Sequence, residues 1–196
     1  MAYIGSQPAN KPVVASDLDP AVITGQTALA VAPADTDEFL ISDAGTLKRL
    51  DASLIGGGGK VLQAVTGTSS TASQGTETSF TDTGLNVTIT PSATSSKILV
   101  MAHTTGLIDT NDSFVYFTIE RQISGGSNTN IGDSSLGLSH MRGDAVNISN
   151  VMVHALDSPS TTSAITYEFQ RRVSGNSGAV AYQGVKSNIT ALEIGA

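Results

Sequence analysis

The chain has 196 residues, no Cys, no Trp, and a formal charge of −7 from 10 basic and 17 acidic residues. A Cys-free chain offers no disulfide, thiolate metal site, iron–sulfur centre or cysteine nucleophile, and a pI near 4.7 speaks against nucleic-acid binding. No apolar run reaches the roughly 20 residues that cross a bilayer as a helix. Met1 to Pro8 has neither the basic start nor the apolar stretch of a signal peptide. We therefore expect synthesis in the cytoplasm and no membrane insertion. Charged residues are only 14% of the chain, against roughly 25% in typical domains, and Ser, Thr and Gly take their place. That balance fits β-rich extracellular or virion structural proteins, in which Thr suits pleated strands and Ser and Gly build turns.

Residues 1–55 read as an arm. Pro8, Pro12 and Pro20 among small residues favour extended backbone. The stretch from Asp17 to Ile23 has room for one helical turn, capped by Ser16 or Asp17. Two short apolar runs, Glu38–Ser42 and Thr46–Leu50, flank Asp43-Ala44-Gly45 and predict a β-hairpin over 38–50. So short a segment with few large apolar groups cannot fold alone. It is expected to order on a partner, with Tyr3, Ile4, Leu18, Val22 and Ile23 as apolar plugs. Gly56, Gly57, Gly58 and Gly59, with Lys60, read as a linker over 56–60.

From Val61 to the end, short strands alternate with polar turns. The candidates are 61–65, 76–80, 85–90, 97–103, 114–123, 130–131, 136–141, 148–156, 164–173, 180–184 and 188–194. Asp82-Thr83-Gly84, Thr90-Pro91-Ser92, Ser124-Gly125-Gly126-Ser127 and Asp157-Ser158-Pro159 are among the expected breaks. Many short strands without a helical period predict an all-β sandwich or barrel over 61–196.

Several strands are apolar on both parities. Ile98, Val100 and Ala102 alternate with Leu99 and Met101; Phe114 and Tyr116 alternate with Val115, Phe117 and Ile119. Successive side chains point to opposite sheet faces, so one face is expected to line the core and the other to meet another copy of the chain, the alternative being that both lie under loops of the same chain. Phe114 and Tyr116 are the expected trimer contact, because two aromatics on the non-core parity would otherwise stand in water. Arg121 and Arg171 follow the apolar parity of their strands. They are expected at the rim, or paired with Glu120, Glu168 or Glu193 across an interface.

Motifs that carry chemistry are thin. The glycine run before Lys60 is no phosphate loop: position 54 is Leu, and Val61 stands where the magnesium-binding hydroxyl belongs. His103, His140 and His154 fall in three separate predicted strands without ligand spacing, although His154 is a candidate to meet its own copies on a three-fold axis. Asp109 to Ser113 has the oxygen-rich look of a calcium loop but lacks its Gly and distal Glu. No Gly-x-Ser-x-Gly or Ser-x-x-Lys nucleophile occurs. Neither catalysis nor a cofactor is expected.

Two stretches carry a resemblance. Asp35-Thr36-Asp37-Glu38-Phe39-Leu40-Ile41-Ser42-Asp43-Ala44-Gly45-Thr46-Leu47-Lys48-Arg49-Leu50-Asp51 resembles a module in the N-terminal regions of bacteriophage tail-fibre proteins. The Val61–Ala196 stretch, through Asp82-Thr83-Gly84-Leu85, Ile89-Thr90-Pro91-Ser92, Ser96-Lys97-Ile98-Leu99-Val100, Leu156-Asp157-Ser158-Pro159, Thr161-Thr162-Ser163-Ala164 and Leu192-Glu193-Ile194-Gly195-Ala196, is similar to marine-phage fibre or head-decoration proteins. The resemblance implies a homotrimeric virion protein. Its arm would dock on a tail, baseplate or capsid protein, and its jelly-roll head, of tumour-necrosis-factor-like type, would face a host surface glycan or protein. The chain has no long shaft between arm and head. A capsid decoration protein with a mechanical role therefore stands as the alternative.

Overall fold

The computed structural model describes residues 21–25, 27, 33–34, 36–55, 60–109, 112–143, 146–175 and 177–195. The chain divides into two units on either side of Gly56. Tyr3, Ile4, Leu18 and the four glycines from Gly56 to Gly59 lie outside the described residues.

In the first unit, one helical turn, α1 (Ala21–Thr24), falls where a turn was expected. Val22 and Ile23 sit on its backbone. Strands β1 (Glu38–Asp43) and β2 (Thr46–Asp51) form an antiparallel hairpin in register from Glu38↔Asp51 to Asp43↔Thr46. The connection is the two residues Ala44 and Gly45 rather than three, with φ of 51° and 83°. Two successive positive φ values make a type I′ turn, whose twist matches that of the strands. Arg49 pairs with Glu38 at 2.8 Å across the ribbon, Lys48 pairs with Asp43, and the Ala52 N–H donates to the Asp37 carbonyl at 2.7 Å. The hairpin has no core: Phe39 is 40% and Leu40 77% exposed.

The second unit is an antiparallel β-sandwich. One sheet is built on β3 (Val61–Ser69), β13 (Ser187–Ile194), β6 (Lys97–Ile108) and β10 (Asn147–Asp157), in that spatial order, with β12 (Gly178–Val180) and β4 (Ser73–Gly75) continuing it beyond the end of β13. The other orders β5 (Thr81–Ile89), β11 (Ile165–Val173) and β7 (Ser113–Ile123). Both β8 (Asn128–Asn130) and β9 (Ser139–Gly143) then pair with β7. Read through its long strands, the chain passes between the sheets so that first and last strands pair in one sheet and second and penultimate in the other. That is the jelly-roll path.

The core lies between the sheets. Ile98, Val100 and Ala102 of β6, Val115, Phe117 and Ile119 of β7, and Ile165, Tyr167 and Phe169 of β11 are all essentially sealed. Phe117 and Phe169 stack with ring centres 5.8 Å apart. For β7 the inward set is the one expected from sequence; for β6, whose two faces alternation separates without ranking, Ile98, Val100 and Ala102 are the inward ones.

Several boundaries differ from expectation. Residues 76–80 form no strand, since Gly75 and the Thr/Ser residues around Glu77 give no apolar alternation to bury. Asp82-Thr83-Gly84 is not a turn but a β-bulge inside β5: the register against β11 jumps from Leu85↔Phe169 to Asp82↔Gln170. Gly84 takes φ +77°, its N–H bonds the Asp82 carboxylate at 2.9 Å, and the Thr83 hydroxyl donates to the Phe169 carbonyl at 2.5 Å. An Asp–x–Gly triplet satisfies a bulge as readily as a turn, because both need a short acceptor followed by a residue free to take positive φ. The predicted strand 180–184 is β12 followed by a single 3-10 turn, Tyr182–Gly184.

Candidate functional site

Three buried or half-buried polar clusters tie the head together. Arg121, near the end of β7, donates to both carboxylate oxygens of Asp157 at 2.8 and 3.1 Å, and the Tyr167 hydroxyl donates to the same carboxylate at 2.8 Å. Burial, with the negative Asp157 beside it, pushes the Tyr167 phenol above its ordinary value. Arg171, 2% exposed, bonds Glu77 at 2.9 Å and the Ser73 carbonyl at 3.3 Å. Glu193, on the inward parity of the last strand, is fully buried. It accepts from the Ser92 N–H and hydroxyl and from Gln63, all at 2.6 Å. Burial works against its charge, but the Ser92 hydroxyl, Gln63 and the Ser92 N–H overcome that and hold its pKa at about 2.

Arg121 and Arg171 therefore pair within the chain, with Asp157 and Glu77, and not with Glu120, Glu168 or Glu193. Arg171 is sealed rather than held at the rim. These partners come from distant loops and strand ends, which alternation along one strand cannot reveal.

The outer face of the β5–β11–β7 sheet holds the sequence-predicted aromatics. Phe114 and Tyr116 stack on each other at 5.8 Å, and His140 of β9 packs on both, at 5.8 and 5.9 Å. The Arg172 guanidinium lies 4.0 Å over the Tyr116 ring and 5.5 Å over Phe80, and bonds the Ser135 carbonyl. Both aromatics are half-buried as a result. They do not stand in water, because cross-strand neighbours in the same chain already cover them. Farther along this face Glu120 and Glu168 stand opposite each other, with Gln170 and Asn128 bonding them. Burial, with Asp82 and Glu120 nearby, raises the Glu168 pKa. Asp112 pairs with Arg142 at 2.8 Å, so the calcium-like loop has a cation of its own. Among the described residues no group of three His, Asp or Glu side chains gathers to hold a metal.

The outer face of the other sheet is different in kind. Register places Leu156, Leu99, Leu192 and Ala64 in one row across β10, β6, β13 and β3. The next row is His154, Met101, Thr190 and Thr66, and the third is Met152, His103, Asn188 and Thr68. Met152 is 66% and Leu156 55% exposed. On the outward positions of these four strands the only charged side chain is Lys97, at one corner. Here lies the fuller set that sequence reasoning half found: Leu99 and Met101 were singled out, whereas Met152, Leu156 and Leu192 could join them only through register.

No family model matches the chain, and no curated protein matches it. Among solved structures, the Eiger TNF of S. frugiperda is 12% identical, with a TM-score of 0.42, covering 68% of this chain and 93% of that one. The structures of infectious bursal disease virus Gx and Gt strains are 12% and 13% identical, with TM-scores of 0.36 and 0.39 over 77% and 79% of this chain. This chain spans about two-fifths of those viral chains, 40% and 41% of their lengths. The strand order defines the chain's class as an all-β, antiparallel jelly-roll sandwich.

Proposed function

We propose that the chain is a non-enzymatic bacteriophage virion protein, a homotrimeric fibre whose arm docks on a tail, baseplate or capsid protein. Its β-sandwich attaches to a glycan or protein of the host surface. The supporting observation is the conjunction of two units. The stretch that resembles a tail-fibre module forms, over Glu38–Asp51, a hairpin with bare apolar residues, and a jelly-roll follows it. A two-stranded ribbon exposing Phe39 and Leu40, with Leu54 and Ile55 exposed just after it, has too little buried surface to stand by itself in water. A larger virion protein would supply the missing cover.

Arm docking and host attachment are separable. Purified full-length chain that binds host cells or isolated host surface polysaccharide supports attachment. A chain that binds neither, while its loss lowers the thermal stability of capsids, supports the decoration reading instead. Release of reducing sugar from host polysaccharide would refute the non-enzymatic assignment.

A further inference from the structure

The strongest unexplained surface is the outer face of the β3–β13–β6–β10 sheet. Its positions are fixed by three contiguous antiparallel registers, so its composition is known row by row. Leu99, Met101 and Leu192 are partly covered by their own sheet neighbours. Ile148, Met152 and Leu156 on the β10 side are 49%, 66% and 55% exposed. Soluble monomers rarely leave a contiguous apolar patch of several hundred Å² bare. Four strands about 4.8 Å apart and some nine residues long make a face of roughly 19 by 27 Å, on the order of 500 Å² in projection, and six of its twelve row positions are apolar. With side-chain relief, that approaches the roughly 800 Å² per partner buried in a standard interface.

Charge selects the occupant. The chain carries −7 overall, and residues 60–196 alone carry 10 acidic against 7 basic side chains, so two copies meet as bodies of like net charge. On this face the outward positions bear no carboxylate, and the single cation, Lys97, stands at a corner. A patch of a second, acidic copy can lie here without meeting a carboxylate on this side, and the face itself contributes only apolar, hydroxyl, amide and imidazole groups to the desolvated centre. A basic or acidic partner would find nothing on this face to pair with. The Phe114–Tyr116 patch lacks this character, since Arg172 and His140 already occupy it within the chain.

We infer that the occupant of this face is a second copy of the chain, with Leu99, Met101 and Leu192 in the middle of the contact and Met152 and Leu156 along its β10 side. The inference rests on the homotrimer in the proposed function for its stoichiometry but not for its location. A closed ring of three would set this face against a different patch of the neighbour.

The test is the mass of full-length protein in solution by light scattering across a concentration series. Wild type is expected at three times the 20.0 kDa chain mass. Met152→Glu with Leu156→Glu places two carboxylates at exposed positions, so the fold is kept, as circular dichroism will check. The double variant should raise the dissociation constant by more than about a hundredfold, because assembly would then bury two unpaired carboxylates. Met152→Ser with Leu156→Ser should weaken assembly less, in the same direction. Phe114→Ser with Tyr116→Ser should leave assembly intact. Wild type that is monomeric at every concentration overturns the inference and leaves host attachment, measured separately, standing. Assembly that survives both β10 variants overturns it too. A wild-type dimer dissociated by the glutamates keeps the face and refutes the trimer.

Discussion

Glu193 offers the sharpest test of how the sandwich is locked. Its carboxylate joins the last strand to the loop after β5 through the Ser92 N–H, the Ser92 hydroxyl and Gln63, and Gln63 also donates to the Thr90 carbonyl at 2.7 Å. Lowering a carboxyl from 4.5 to about 2 is worth at most about 3 kcal/mol at neutral pH. The loop from Ser92 to Ser95 beside it is exposed, so solvent screens part of that, and about 1.5–3 kcal/mol is the expected cost of Glu193→Gln. The glutamine can still accept from Ser92, but its own amide then faces the amide donor of Gln63. The sign follows from the depressed folded-state value. The contribution is complete above the ordinary carboxylate range and drains away as pH falls from about 4.5 towards 2. Urea unfolding of wild type and variant at one fixed protein concentration, since self-association adds its own stability, should show the full difference at pH 7 and less than half of it at pH 3. A variant as stable as wild type at pH 7, or a difference that does not shrink at pH 3, would refute an ionised lock.

Tyr167→Phe removes the hydroxyl from Asp157 while leaving the Arg121 pair, and should cost about 1 kcal/mol in urea unfolding. Arg121→Ala leaves Asp157 without its cation in a site where its side chain is 11% exposed, and should cost about 2–3 kcal/mol. Gly67→Ala places a methyl 1.8 Å from the Asn86 carbonyl oxygen. Because backbone must yield, the variant should lose at least about 2 kcal/mol in chemical denaturation. In the full chain without a virion partner, hydrogen exchange read by mass spectrometry should find the β1–β2 amides exchanging orders of magnitude faster than those of β6 and β11. Equal protection would contradict an arm that needs a partner.

Alternation alone was enough to separate the two faces of β6 and β7, because a side chain's face on a strand depends only on its parity. Val115, Phe117 and Ile119 inward, with Phe114 and Tyr116 outward, needed no neighbour to be known. Likewise the hairpin at 38–51 was legible from two apolar runs about a Gly-containing turn. The scarcity of large apolar groups there was legible too, and in the structure the hairpin leaves Phe39 and Leu40 exposed. What alternation cannot supply is which strand lies beside which. The cover over Phe114 and Tyr116 comes from Arg172 and His140, one cross-strand neighbour away but 56 and 24 positions distant from Tyr116 in sequence. Arg121 finds Asp157, and Arg171 finds Glu77, because jelly-roll crossings bring strand ends and loops together. The same holds for the bulge at Thr83-Gly84, whose extra residues exist only relative to β11. The apolar, charge-poor sheet face is also a product of register: Leu156, Leu99 and Leu192 come from three separate strands, and only their pairing makes a surface of them.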